Sequence, residues 1–158
     1  MNSGDFTLAI ILSAMSIECE LARVYVKWKG VDLIRTRMPT ASDEASWEQE
    51  LRKWLPIGTR LDEVCRFLTG DKFDSFLSKQ SKLSASVQSR HPQSAICPPI
   101  KKFFEQHLFW KRNAIVHLGK IDLGQPDAED CRRSAETLLQ IISEMDFLRR
   151  QIFEASNP

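Results

Sequence analysis

A stripe of apolar residues at helical spacing runs along the N-terminal part of the chain and constrains the fold more than any other feature. Its members recur every three or four residues, and serine, glutamate, arginine and lysine occupy the opposite side. This pattern is typical of an amphipathic helix that buries one face in a core. It predicts a first helix from about Phe6 to Lys29, which Gly30 would end. The stripe comprises Ile10, Ala14, Ile17, Leu21, Val24 and Trp28.

The rest of the chain repeats helical periodicity in shorter segments. Glycine and proline are sparse, with 6 and 7 among 158 residues, and charged residues recur at helical spacing. We therefore predict an all-α fold, an antiparallel bundle of about four to six helices, in one domain over residues 1–158. The serine-rich segment 78–99 is the part that we expect to be rich in loop.

Capping and breaking residues set the expected limits of the later helices. The last helix should bury a seam of Cys131, Ala135, Leu138, Ile142, Met145 and Ile152. The predicted helices are one from Ser42 or Asp43 to about Trp54, one from Thr59 to Gly70, a short one after Asp71 that carries Phe73, Phe76 and Leu77, one from about Ile100 to Leu118 that Gly119 caps, and a long one with Pro126 in its first turn.

Overall charge and cysteine spacing narrow the class of protein. A net charge of +1 excludes nucleic-acid binding through global positive charge, so any such binding needs a local patch. The apolar run 8–15 lacks the basic residues of a signal peptide and is too short to span a membrane, so we expect it in a core helix. The cysteines lack zinc spacing and are expected to be buried, reduced thiols of a cytoplasmic protein. They are Cys19, Cys65, Cys97 and Cys131.

One helical segment combines an arginine, an amide and a histidine. Asn113 and His117 are four residues apart and therefore lie on one face, and Arg112 precedes them by one step. Arginine suits phosphate oxygens and histidine moves protons near neutral pH, so the combination indicates phosphodiester chemistry, on RNA. Apolar residues on the other side of the helix should anchor it in the core. They are Phe104, Leu108, Ile115 and Leu118.

Three further groups have two interpretations each. Glu18 lies among apolar neighbours of the first helix, and its carboxylate either pairs with Arg112 or extends to water. Lys111 and Lys120 flank the motif, where they either contact RNA phosphates or are solvated surface lysines. Of the other histidines, His91 is expected at the surface and His107 in the interior.

The motif Arg112-Asn113-x-x-x-His117 resembles that of the HEPN superfamily of helical-bundle domains. The order of elements is also similar, with a long first helix, shorter central helices, the motif helix and a long closing helix. The resemblance spans most of the chain, but only the motif is specific.

The resemblance implies a metal-independent endoribonuclease without a cofactor, which works as a homodimer with a composite cleft and serves as a toxin or an antiviral defence effector. His117 would be the general base or acid, Arg112 would stabilise charge on the phosphate, and Asn113 would orient His117 or the phosphate. An antitoxin or regulatory protein is a possible partner, and no membrane is expected. The alternatives are a non-catalytic HEPN module that binds nucleotide, RNA or protein, and a structural adaptor in which the motif is coincidental.

Overall fold

The computed structural model describes residues 3–54, 56–95, 99–119 and 123–157, and within them the fold is entirely helical. Seven helices are present in these ranges, together with a short 3₁₀ turn at Pro92–Ala95. The sixth helix, residues 100–118, is continuous but contains a π-helical turn. The helices are α1 (Ser3–Ile34), α2 (Ala41–Lys53), α3 (Ile57–Thr69), α4 (Phe73–Lys79), α5 (Ser81–Arg90), α6 (100–118) and α7 (Gln125–Ala155).

The two longest helices, α1 and α7, lie side by side and run in the same direction. Lys27 Nζ is 2.8 Å from the Asp146 carboxylate, and Trp28 donates its indole N–H to the same group. Further along both helices, Arg149 pairs with Asp32 at 2.6 Å. These partners are separated by 119, 118 and 117 positions in the sequence, and such a nearly constant offset requires a parallel pair.

Three other neighbouring pairs are antiparallel. Lys101, near the start of α6, pairs with Asp62 inside α3, whereas Glu105, one turn later, lies against Gly58 near the start of α3. The same reversal relates α1 to α2 and α6 to α7. The predicted all-α bundle is therefore confirmed, although it has seven helices, and the expected antiparallel packing does not extend to α1 and α7.

The core forms where the sequence predicts it. All six residues of the α1 stripe are buried, and so are the three apolar residues assigned to α4. Of the six residues predicted to form the α7 seam, Ile152 is the one that is not buried. It has 45% of its surface exposed because it lies in the last turns of that helix. The buried residues of the seam are Cys131, Ala135, Leu138, Ile142 and Met145.

Several predicted helix limits are wrong. Gly30 does not end α1, which continues to Ile34, since this glycine lies close to Pro39 and Trp47 instead of adopting a positive φ. The second helix is capped by Thr40, which shares a capping box with Asp43. The described part of segment 78–99 is not mainly loop: it holds the end of α4, all of α5 and the 3₁₀ turn, because Leu83 and Val87 are buried on one face of α5.

Helix ends that depend on glycine and proline agree with the prediction. Gly70 and Gly119 have φ of 86° and 63° and end α3 and α6, because the left-handed conformation is least strained for glycine. Pro126 lies in the first turn of α7, where its missing N–H has no helical acceptor.

Burial corrects two expectations about single residues. His91, expected at the surface, is 1% exposed, and its Nε2 lies 3.0 Å from Thr137 Oγ1 beside the ring of Phe103. Cys19, expected to be buried, is exposed, while Cys65 and Cys131 are buried free thiols. Cys97 lies outside the described residues. The run 8–15 lies near the start of a core helix, as predicted, with Ile10 and Ala14 buried, and the side chains of Leu8, Leu12 and Met15 on its other side are exposed.

No helix among the described residues combines the length and the apolar character that crossing a membrane requires.

The buried imidazole of His91 should make stability depend on pH. Burial lowers the pKa of His91, an effect that nearby Asp130 opposes and Arg133 reinforces. The unfolded chain therefore binds a proton near pH 6.5, where the folded chain does not, and the free energy of unfolding should fall as the pH drops below about 6.5. Urea unfolding at about pH 7.5 and about pH 5.5 should differ by about 1 kcal/mol more for the wild type than for His91→Gln. Equal changes in both proteins would contradict this assignment.

Candidate functional site

The motif lies on the last part of α6, directly after a π-helical turn. An α-helical segment Ile100–Phe104 is followed by the π turn Glu105–Phe109 and a second α-helical segment Trp110–Leu118. The N–H of Trp110 donates to the Glu105 carbonyl five residues earlier, which is the hydrogen bond of a π-helix. Phe104 and Phe109 share this five-residue spacing and are both buried, so the wider turn is held by apolar packing.

Arg112 is held by two neighbours. Its Nη2 donates to Glu18 Oε1 at 2.7 Å, and its Nη1 donates to Asn113 Oδ1 at 2.8 Å. The interpretation in which Glu18 pairs with Arg112 is therefore confirmed as a contact, and this contact joins α6 to α1. About three quarters of each of the two charged side chains is withdrawn from solvent, with 23% of Arg112 and 28% of Glu18 exposed. A partly shielded ion pair with hydrogen bonds at both Nη atoms keeps the guanidinium in a fixed orientation.

His117 is exposed in the last turn of α6, one residue before the end of the helix. Its imidazole makes no hydrogen bond with another described side chain, so its nitrogens are accessible to a ligand. The prediction that Leu118 anchors the helix is wrong, because 70% of that residue is exposed, whereas Ala114 is buried and Ile115 packs against the core. Residues 116–119 are all exposed, so the end of α6 extends past the helices that cover Ala114.

The three motif residues line one pocket of about 210 Å³. Glu18 from α1 contributes to the same wall, so the structure brings together four of the residues singled out in the sequence. Phe109 of the π turn lines the pocket from α6, and the start of α3 closes another side. The remaining lining residues are Pro56, Ile57 and Arg60.

Arg60 is the pocket residue that sequence reasoning missed. Its Nε donates to the Leu51 carbonyl of α2 at 3.1 Å. Among the described residues no carboxylate forms an ion pair with Arg60. The sequence held one signal: a cation at the end of the first turn of a helix is opposed by the helix dipole, which hints at a role other than helix stability.

Lys111 is not available to RNA in the way the motif suggested. Its Nζ lies 2.8 Å from Asp130 and 3.2 Å from Asp127, both on α7, and only 14% of its side chain is exposed. Although burial alone would lower the pKa of Lys111, the hydrogen bond to Asp130 raises it above its usual value. Lys111 therefore ties α6 to α7 on a side away from the pocket. Lys120 lies outside the described residues.

Asp130 also contacts His107, the histidine that was expected in the interior. His107 Nδ1 is 2.9 Å from Asp130 Oδ2, and the ring stacks on Phe103 with centroids 4.2 Å apart. The imidazole is half-buried, with 32% of the side chain exposed, so it lies at the edge of the core. This cluster packs α6 against α7 and is separate from the pocket residues.

Among the described residues, no group of three or more His, Cys, Asp or Glu side chains is arranged to hold a metal ion.

Removing the Lys111 charge should destabilise the fold. In Lys111→Met, Asp127 and Asp130 would lose the ammonium that compensates them in a partly buried site, so the free energy of unfolding should fall by about 2 kcal/mol. Lys102→Met is the matched control, because Lys102 is exposed on the same helix. Urea denaturation of both variants checks the assignment, and equal stabilities would mean that the α6–α7 ion pairs contribute nothing measurable.

Comparisons with protein-family models, with curated protein sequences and with solved structures each found no match to this chain. The motif and the geometry of the pocket are therefore the grounds on which its function is proposed.

Proposed function

We propose that this protein is an endoribonuclease that cleaves RNA by attack of the ribose 2′-hydroxyl on the neighbouring phosphate, at a site shared by two copies of the chain. The observation that carries the proposal is that Arg112, Asn113 and His117 line a single pocket. The resemblance to HEPN domains supports the reaction type. The setting, as a toxin or an antiviral defence effector with an antitoxin or regulatory protein as partner, rests on that resemblance alone.

The reaction needs a proton acceptor for the 2′-hydroxyl, a donor for the leaving 5′-oxygen and positive charge near the phosphate. The exposed imidazole of His117 can accept or donate the proton, and a facing copy of the chain would supply a second imidazole. Arg112 would stabilise the charge that develops on the phosphate oxygens. Attack by a 2′-hydroxyl confines cleavage to RNA and leaves a 2′,3′-cyclic phosphate and a 5′-hydroxyl.

Glu18 and Asn113 are positioning residues in this scheme. Each accepts one hydrogen bond from Arg112, at 2.7 Å and 2.8 Å. They reduce the number of orientations that the guanidinium can adopt, so less conformational freedom is lost when a phosphate binds. The same Glu18 carboxylate reduces the attraction of Arg112 for a phosphate, so its contribution lies in orientation.

An exposed apolar stripe beside the pocket supports the two-copy arrangement. Leu8, Leu12 and Met15 recur at helical spacing on α1 and expose 55%, 54% and 46% of their surface, and Glu18 follows Met15 by less than one turn. At the end of α6, Leu118 next to His117 is 70% exposed. Apolar groups gathered around a polar pocket favour burial against another protein surface, and a second copy would bring a second motif to the same cleft.

Cleavage should depend on the motif and not on added metal. Purified protein incubated in EDTA with total RNA and with a tRNA pool should produce fragments that end in cyclic phosphate. Arg112→Ala and His117→Ala should each lower the rate at least about a hundredfold, because they remove transition-state charge stabilisation and proton transfer.

Glu136→Gln is the control for cleavage, since Glu136 lies on an exposed face of α7 and pairs with Arg132 on the same helix. Circular dichroism spectra should be unchanged in all three variants, and of these only Arg112→Ala, which loses its ion pair with Glu18, should melt at a lower temperature. If RNA stays intact when it is incubated with folded, dimeric wild-type protein, the ribonuclease proposal is contradicted and the non-catalytic binding module is favoured.

The oligomeric state tests the shared site separately. Sedimentation equilibrium should give a dimer for the wild type and a monomer for Leu12→Lys, because a charge in the apolar stripe would be buried without a partner. Met38→Lys is the matched control: Met38 is 74% exposed and follows the far end of α1. A monomeric wild type, or a dimeric Leu12→Lys, would contradict the use of this stripe.

A further inference from the structure

Arg60 and Arg112 reach the pocket from different helices, and their charges are engaged in different ways. Both terminal nitrogens of Arg112 already donate to protein acceptors, one of them the Glu18 carboxylate. Arg60 donates only through Nε, to the neutral carbonyl oxygen of Leu51. The two terminal nitrogens of Arg60 make no hydrogen bond to another described residue, so they keep their donors for a ligand.

The balance of charge in the pocket depends on Arg60. The lining contains two arginines and one carboxylate, which leaves one net positive charge when the histidine is neutral. Because Glu18 offsets Arg112, this surplus is contributed by Arg60. The protein as a whole carries a net charge of only +1, so long-range attraction of a polyanion is weak and local charge decides binding.

We propose that Arg60 binds a phosphate of the RNA backbone and is the main source of affinity in this pocket, while Arg112 acts on the phosphate that reacts. The inference rests on the proposed function for the identity of the ligand. Arg60 then contacts the phosphate and neither the base nor the 2′-hydroxyl, because a guanidinium in this role recognises the geometry of a phosphate.

The anchoring bond to Leu51 suits this role. Leu51 is in the last turn of α2, where a cation is favoured by the helix dipole, and its carbonyl oxygen also accepts the backbone N–H of Trp54 at 3.2 Å. The bond occupies Nε and leaves the donors of both terminal nitrogens for a ligand. A purely structural role would consist of this bond alone, and Arg60→Gln and Arg60→Lys would then change stability without changing the salt dependence of binding.

The test uses full-length protein with His117→Ala, so that RNA is bound but not cleaved. Binding of a single-stranded RNA oligonucleotide and of the DNA oligonucleotide of the same sequence is measured over a range of salt concentrations. Arg60→Gln in this background should weaken binding of both about tenfold, because it removes a charged hydrogen bond. It should also lower the slope of log affinity against log salt by about 0.7, as expected for one lost phosphate contact on a single strand.

Arg66→Gln is the matched control, because Arg66 is on the same helix, is exposed and pairs with Glu63. It should leave affinity and slope unchanged, and Arg60→Lys should restore the slope while recovering only part of the affinity.

Unchanged binding by Arg60→Gln, or a loss of binding limited to RNA, would overturn the phosphate role. The role would also be overturned if the His117→Ala protein bound neither oligonucleotide. Failure of cleavage by the wild type with these binding changes intact would reject the ribonuclease and leave the phosphate anchor standing. In active protein, Arg60→Gln should raise KM more than it lowers kcat.

Discussion

The parallel packing of α1 against α7 is the constraint on which the rest of the bundle depends. Helices joined by short connections usually reverse direction, so the chain needs intervening helices to bring the last helix back in parallel with the first. Contacts of Asp146 with Lys27 and Trp28, and of Arg149 with Asp32, fix the register. A slip by one helical turn, about 5.4 Å, would separate all of these groups and misalign the apolar faces of both helices.

This frame fixes the rotation of α6, and with it the direction of the motif. Lys111 pairs with carboxylates of α7, whereas the next residue, Arg112, pairs with Glu18 of α1. Consecutive helical residues point about 100° apart, so both contacts form together only when α6 has one orientation about its axis. Asn113 and His117 are then directed into the pocket as a consequence of the charges on two other helices. Of the two interpretations of Lys111, neither describes its contacts: its ion pairs with α7 are structural and help to orient the helix that carries the motif.

The parts of this structure that follow from local patterns could be predicted from the sequence, and the parts that depend on contacts between distant segments could not. Helical periodicity located the buried faces of α1 and α7, and Gly70 and Gly119 marked true helix ends. The motif residues and Glu18 were also identified. Arg60 was missed because its place in the pocket depends on how α3 packs against α6, and His91 was misplaced because Thr137, its partner, lies 46 positions away. The serines of segment 78–99 predict loop, but the burial of Leu83 and Val87 is enough to hold α5 as a helix.

Orientation and attraction make opposite demands on one arginine. A carboxylate that fixes the guanidinium also offsets its charge, so the better Arg112 is held, the less it attracts a phosphate. Removing Glu18 would raise attraction but leave a long side chain free to adopt many rotamers. Two arginines resolve the conflict because each meets one demand: a neutral carbonyl anchors Arg60 without offsetting its charge, and Glu18 orients Arg112. Any ligand that fits this pocket should therefore carry more than one anionic group, with spacing set by the distance between α3 and α6.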